Sequence, residues 1–238
     1  MRTTARWQRL IFLGFAVSLI AAVTPDMPAL VEAAKNGNTD AVRALLQEGV
    51  DVNAVEGDGT SALHWVAYRD NLESAELLIR SGADPSVAND LGVTPLWTAS
   101  ENGSAAMVRT LLQAGANPNA ALSSGETLLM TAARTGHLDV VKALLSGGAN
   151  VNAATATTHE TALMWAVAER HLNIVRALVE NGADARPGPQ QVISPLMAAA
   201  ENGDIEAAKV LVAAGARVSD TGSDGTHLLT LAIVAGQS

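Results

Sequence analysis

The sequence contains no cysteine. Disulfides, thiolate zinc sites and cysteine nucleophiles are therefore excluded, and the absence is compatible with an oxidising compartment. Aromatic residues are only 3% of 238, with one tyrosine and two phenylalanines. Hydrophobic content is nevertheless 48%. Much of it is Ala and Leu, small side chains that suit closely packed short helices. Basic residues are scarce as well: 15 Lys and Arg stand against 24 Asp and Glu, for a net charge of -9. Such a chain repels phosphate backbones, so nucleic-acid binding is not expected. None of the five histidines pairs with another at zinc-site spacing, and there is no H-E-x-x-H. No serine or threonine lies in a G-x-S-x-G elbow. Asp58-Gly59-Thr60 is a turn sequence, not an acid-protease signature. No catalytic residue, metal ligand set or cofactor site is expected.

The N-terminus is basic, with Arg2, Arg6 and Arg9, and no acidic residue precedes Asp26. Leu10 to Val23, LIFLGFAVSLIAAV, is a weakly polar-to-apolar run of fourteen residues. That is the shape of a secretory signal peptide, and it is short against the about 20 residues of a spanning helix. Residues 1–24 are thus expected to be a signal peptide or apolar leader, and the protein to be extracytoplasmic, periplasmic or secreted. An uncleaved run would anchor it to a membrane instead. Loss of the leader leaves twelve basic residues against twenty-four acidic, a net of -12.

What the rest of the chain does have is a period. Ser61, Thr94, Thr127, Thr161, Ser194 and His227 follow one another at spacings of 33, 33, 34, 33 and 33 residues. The first five introduce the same grammar of short helix, break, second helix and glycine exit, and His227 begins it again. Full repeats are expected at 51–83, 84–116, 117–149, 150–183 and 184–216. A helix-pair cap precedes them at 28–50, and an incomplete repeat follows at 217–238. The first helices share Leu63, Leu96, Leu129, Leu163 and Leu196. The second share apolar pairs read as Leu77–Leu78, Leu111–Leu112, Leu144–Leu145, Leu178–Val179 and Leu211–Val212. No such helix is long enough to stand alone, so each needs its partner and its neighbouring repeat.

Local chemistry supports these boundaries. The Ser or Thr can cap the first helix, and Pro95 and Pro195 follow at the first helical position. Gly103, Gly136 and Gly203 mark the first break, where Asp70 and Arg170 stand in two repeats. A left-handed Arg170 costs about 1 kcal/mol or more. Asp51, Asn53, Asn117, Asn119, Asn150 and Asn152 recur at the second-helix exit, where Asx side chains hold turns locally. Gly59, Gly92 and Gly125 sit near the tips of the connecting loops, which are expected to form short β-hairpin-like fingers. The one extra residue, around 154–158, falls in a finger, and the 186–191 finger lacks its tip glycine.

These motifs resemble the ankyrin-repeat family over roughly 28–235. The carrying residues are Gly92-Val-Thr-Pro-Leu-Trp97, Ser61-Ala-Leu-His64, the paired Ala132-Ala133 and Ala199-Ala200, and Leu111-Leu-Gln-Ala-Gly-Ala-Asn117. The family's histidine after Leu survives only as His64; Trp97, Met130, Met164, Met197 and Thr230 replace it. The resemblance implies an all-α ankyrin-repeat solenoid at 25–238, a non-enzymatic module that binds another protein through its fingers and concave first helices. It implies no cofactor, and the isolated chain is expected to be monomeric. The expected contact patch is Tyr68, Arg69, Trp97, Glu101, Asn102 and Arg134, while Trp65 and Trp165 sit where a core Leu is typical. Two other readings stand beside it. One is a structural or protective subunit for an exported partner. The other is a recognition domain of a longer protein whose activity lies beyond Ser238.

Overall fold

A computed structural model describes residues 27–186, 188 and 193–219. The leader, most of the 186–191 finger and the last half-repeat lie outside the described residues. Twelve short helices come in pairs along the described chain. They are α1 (Ala29–Lys35) with α2 (Thr39–Gln47), α3 (Ala62–Tyr68) with α4 (Leu72–Arg80), and α5 (Pro95–Glu101) with α6 (Ala105–Gln113). Then follow α7 (Leu128–Thr135) with α8 (Leu138–Ser146), α9 (Ala162–Ala168) with α10 (Leu172–Glu180), and α11 (Pro195–Glu201) with α12 (Ile205–Ala213). First helices pack on first helices from α1 through α11, and second on second from α2 through α12. The result is an all-α solenoid of two parallel rows.

Capping sets where each first helix begins. Thr94 Oγ1 accepts from Trp97 N at 3.2 Å, and Thr127, Thr161 and Ser194 repeat the contact to Met130, Met164 and Met197 at 3.1–3.4 Å. The break after the first helix uses the left-handed region. Gly103 and Gly136 have φ of 77° and 86°, and a Cβ added at either would collide with the ring of His137 or His171 from the next repeat. Asp70 and Arg170 take the same conformation without being glycine, at φ of 54° and 61°.

The core is one continuous stack. Leu63, Leu96, Leu129, Leu163 and Leu196 are all buried, as is Leu30 before them. In the second helices the buried column is Leu78, Leu111, Leu144, Leu178 and Leu211. This corrects the pairing of Leu77 with Leu78. Leu78 is the residue in phase with Leu111, and Ile79 is the second member, packed against the core. Two adjacent leucines obscure a one-residue shift that the 33-residue spacing from Leu78 to Leu111 resolves, and the burial of both agrees. Val42, Ala75, Val108, Val141 and Val175 form a second fully buried column one turn earlier.

The hairpin character expected of the fingers is not found. Among the described residues there is no strand, and three loops reach one isolated antiparallel pair each: Val55 with Ser61, Ala121 with Thr127, Ala154 with Thr161. The arms are too short for a ladder. Each loop is closed instead by nested turns, as where Glu56 N donates to Thr60 O at 2.8 Å and Gly59 N to Glu56 O at 3.0 Å. The extra residue of the fourth finger is absorbed by side chains. Thr155 Oγ1 lies 2.7 Å from Thr158 Oγ1 and accepts from Glu160 N at 3.0 Å. His159 takes the left-handed tip there, at φ of 55°, where Gly59, Gly92 and Gly125 serve elsewhere.

Candidate protein-binding surface

The last residue but one before the first-helix break recurs once per repeat, giving a column of Lys35, Tyr68, Glu101, Arg134, Ala168 and Glu201. Stacked first helices hold these side chains in a row. Three positions earlier stands a second column containing Trp65, Thr98, Thr131 and Trp165. The two columns interlock across repeats. Lys35 Nζ lies 4.5 Å above the ring of Trp65 in the following repeat, and Arg134 Cζ lies 5.5 Å from the ring of Trp165, again in the following repeat. Both cations also meet finger carboxylates. Lys35 Nζ is 3.2 Å from Glu56 Oε1, and Arg134 Nη2 is 3.6 Å from Glu126 Oε1. Thr131 Oγ1 donates to the same Glu126 oxygen at 2.9 Å.

The six residues expected in the contact patch divide by environment. Tyr68 is exposed at 52%, and its ring meets Trp65 edge-on at 6.0 Å between centroids. Arg134 is partly exposed and held between Glu126 and Trp165. Glu101 is half-buried beside them, and burial raises its pKa above the ordinary carboxylate value; Arg134 draws it back and Glu126 pushes it up. Arg69 is exposed, but its Nε donates to Lys35 O of the preceding repeat. Asn102 does the same work one repeat on, where Nδ2 donates to Tyr68 O at 2.9 Å. Both therefore tie repeats together, and they frame the patch more than they offer free polar groups.

Trp97 corrects the expectation. It is only 4% exposed and packs in the core, so it cannot serve as a contact anchor. It occupies the column of His64, whose neighbours in that column are mostly buried, and residue type alone did not reveal this. His64 itself is a buried link. Ser61 N donates to its Nδ1 at 3.1 Å, and Nε2 lies 2.9 Å from Val93 O in the next finger. Burial lowers its pKa, partly offset by the Val93 carbonyl and by Asp58, so the ring is held neutral.

The structure brings Lys35, Glu56 and Glu126 into the surface, which sequence reasoning missed. Lys35 was legible as a member of the Tyr68 column at the 33-residue period. Glu56 and Glu126 carried no such signal, because their place depends on how each finger folds back. Among the described residues, no group of three or more His, Asp or Glu is placed to hold a metal ion, and no helix is long and apolar enough to cross a membrane.

Comparison with known proteins agrees with this architecture. A family model described as ankyrin repeats in three copies matches residues 30–121 and 115–188, and a single ankyrin-repeat model matches 193–223. Among solved structures, the human ASB11 ankyrin repeat domain is similar, with 31% sequence identity and a TM-score of 0.73. That match covers 85% of this chain and 90% of the other. No curated protein matches the chain.

Proposed function

We propose, from the premise that this chain belongs to the ankyrin-repeat family, that it grips its partner protein across the first-helix row centred on Tyr68 and Arg134. An ankyrin scaffold of this kind mediates protein–protein interaction, and the surface residues it carries select the partner. The observation that carries our reading is the alignment of Lys35, Tyr68, Glu101 and Arg134 in one row, with both cations set on tryptophan rings. Stacking limits the rotamers of these long side chains before any partner arrives, which lowers the entropic cost of binding. Aromatic and arginine residues are also the commonest interface anchors. The row alternates in charge, so it suits a partner surface that carries both signs. Finger-tip residues such as the exposed Leu91 extend this surface at its edge.

The test is affinity capture with the full chain and with a variant carrying Tyr68→Ala and Arg134→Ala, circular dichroism establishing equal folding. A partner held by the first and lost by the second supports the row. Equal capture by both moves the site to the fingers.

Export is part of the same proposal, supported by the basic start and the apolar run Leu10–Val23. Determining the N-terminal residue of the protein isolated from its native source tests it. A terminus still at Met1 in a cytoplasmic fraction would sink the idea. We further propose that the protein acts as a monomer.

A further inference from the structure

Most joints between repeats are clamped by side chains in equivalent places. At the second-helix exit, Asn53 Nδ2 donates to Gly82 O at 3.2 Å while Asn53 Oδ1 accepts from Asp84 N at 2.8 Å. Asn119 makes the same two bonds to Gly148 O and Asn150 N, at 3.1 and 2.7 Å. Asn152 makes them to Gly182 O and Asp184 N, at 3.0 and 2.8 Å. At the first-helix end, Arg69, Asn102, His171 and Asn202 reach back to carbonyls of the preceding repeat.

The joint between 84–116 and 117–149 has none of these. Its member of the asparagine column is Ser86, whose side chain is too short to reach Gly115 O and Asn117 N. Its member of the first-helix column is Thr135, whose Oγ1 turns back to Thr131 O at 2.9 Å inside its own helix. The histidine that links one finger to the next at His64 is here the buried Trp97. Among the described residues, no hydrogen bond or ion pair crosses this joint. Apolar packing of α5 on α7 and α6 on α8 holds it, together with the field of Arg134 on Glu101. A cavity of about 280 Å³ opens at the same place, lined from one side by Pro85, Ser86, Leu96 and Ala116 and from the other by Asn117 and Ala120.

We infer that this joint is a hinge, about which the segments 27–116 and 117–219 change their mutual angle. Apolar contacts are non-directional and tolerate a small roll of one repeat on the next, whereas paired amide bonds fix the angle. The void beside Ser86 supplies the room into which the loops close. The hinge crosses the row of inward side chains between Glu101 and Arg134, so bending there alters the spacing of that surface.

The absence of cysteine makes the test direct. Cysteines for spin labels are introduced in the full chain at Glu73, Asp139 and Glu206, exposed and equivalent positions in the first turns of α4, α8 and α12. Double electron–electron resonance then compares the 73/139 pair, which spans the unclamped joint, with the 139/206 pair, which spans two clamped ones. The expected result is a broader distance distribution for 73/139. Ser86→Asn, which supplies the missing amide, should narrow it to the breadth of the control pair. A 73/139 distribution as narrow as the control overturns the hinge, and so does a breadth that Ser86→Asn leaves unchanged.

Discussion

Arg170 holds a backbone conformation that glycine holds at Gly136 and Gly203, with φ of 61° against 86° and 66°. A left-handed non-glycine residue costs roughly 1–2 kcal/mol, and a new glycine returns about 0.4–1 kcal/mol of that to the unfolded chain's entropy. Arg170→Gly should therefore stabilise the protein by about 0–1.6 kcal/mol, read as a rise in the urea midpoint. Asp70, in the same conformation, should gain less from the same change, because its carboxylate accepts from Ser104 Oγ of the next repeat. His64 sets a pH dependence. Its folded pKa lies below the ordinary 6.5, so the unfolded chain binds a proton that the folded chain refuses. The stability it contributes is present above about 6.5 and is lost as pH falls from there through the folded value. Thermal melts between pH 7 and 5 should show a shallower loss in His64→Gln than in the unaltered protein.

At the scale of an element, these helices of seven to nine residues exist only through their neighbours. The asparagine clamps are one such support. Asn152 joins two backbone groups of the following loop, and Asn152→Ala should cost about 0.5–1.5 kcal/mol per bond lost, toward the low end because the site is exposed. A change no larger than that of an exposed serine-to-alanine control would remove the clamp from the account. The sequence pattern marks these asparagines as local turn holders. That is half of what they do: Asn150 Oδ1 accepts from Asn152 N at 3.1 Å within the turn, while Asn152 reaches out of it. The first Asx of each pair acts locally, where sequence proximity reveals it, and the second acts across some thirty residues.

The whole molecule is a one-dimensional stack, so a perturbation should spread to adjacent repeats and fade beyond them. Trp97→Ala removes a large buried side chain and should cost about 3–5 kcal/mol. Hydrogen exchange should quicken in α3, α5 and α7 and stay unchanged in α11 and α12. Uniform acceleration along the chain would mean that the stack unfolds as a single unit. The same experiment bears on Trp97 as a packing residue, since a contact anchor on the surface would leave exchange nearly unaltered when truncated.

The 33-residue period, the leucine columns, the capping Ser and Thr and the left-handed breaks were all legible in the sequence, because they are local chemistry repeated. Repetition also identified the family and the two rows of helices. The burial of Trp97 and the reach of Arg69 and Asn102 were not legible, because each depends on which neighbour lies within a few ångströms. Of the expected patch, Tyr68 and Arg134 stand in the exposed row, and their partners Lys35, Glu56 and Glu126 come from other helices and fingers. Ser86 shows the division most plainly. In the sequence it is one more small polar residue in a turn. Only the folded stack places it opposite Gly115 and Asn117, where a serine is too short for the bonds that asparagine makes at other joints.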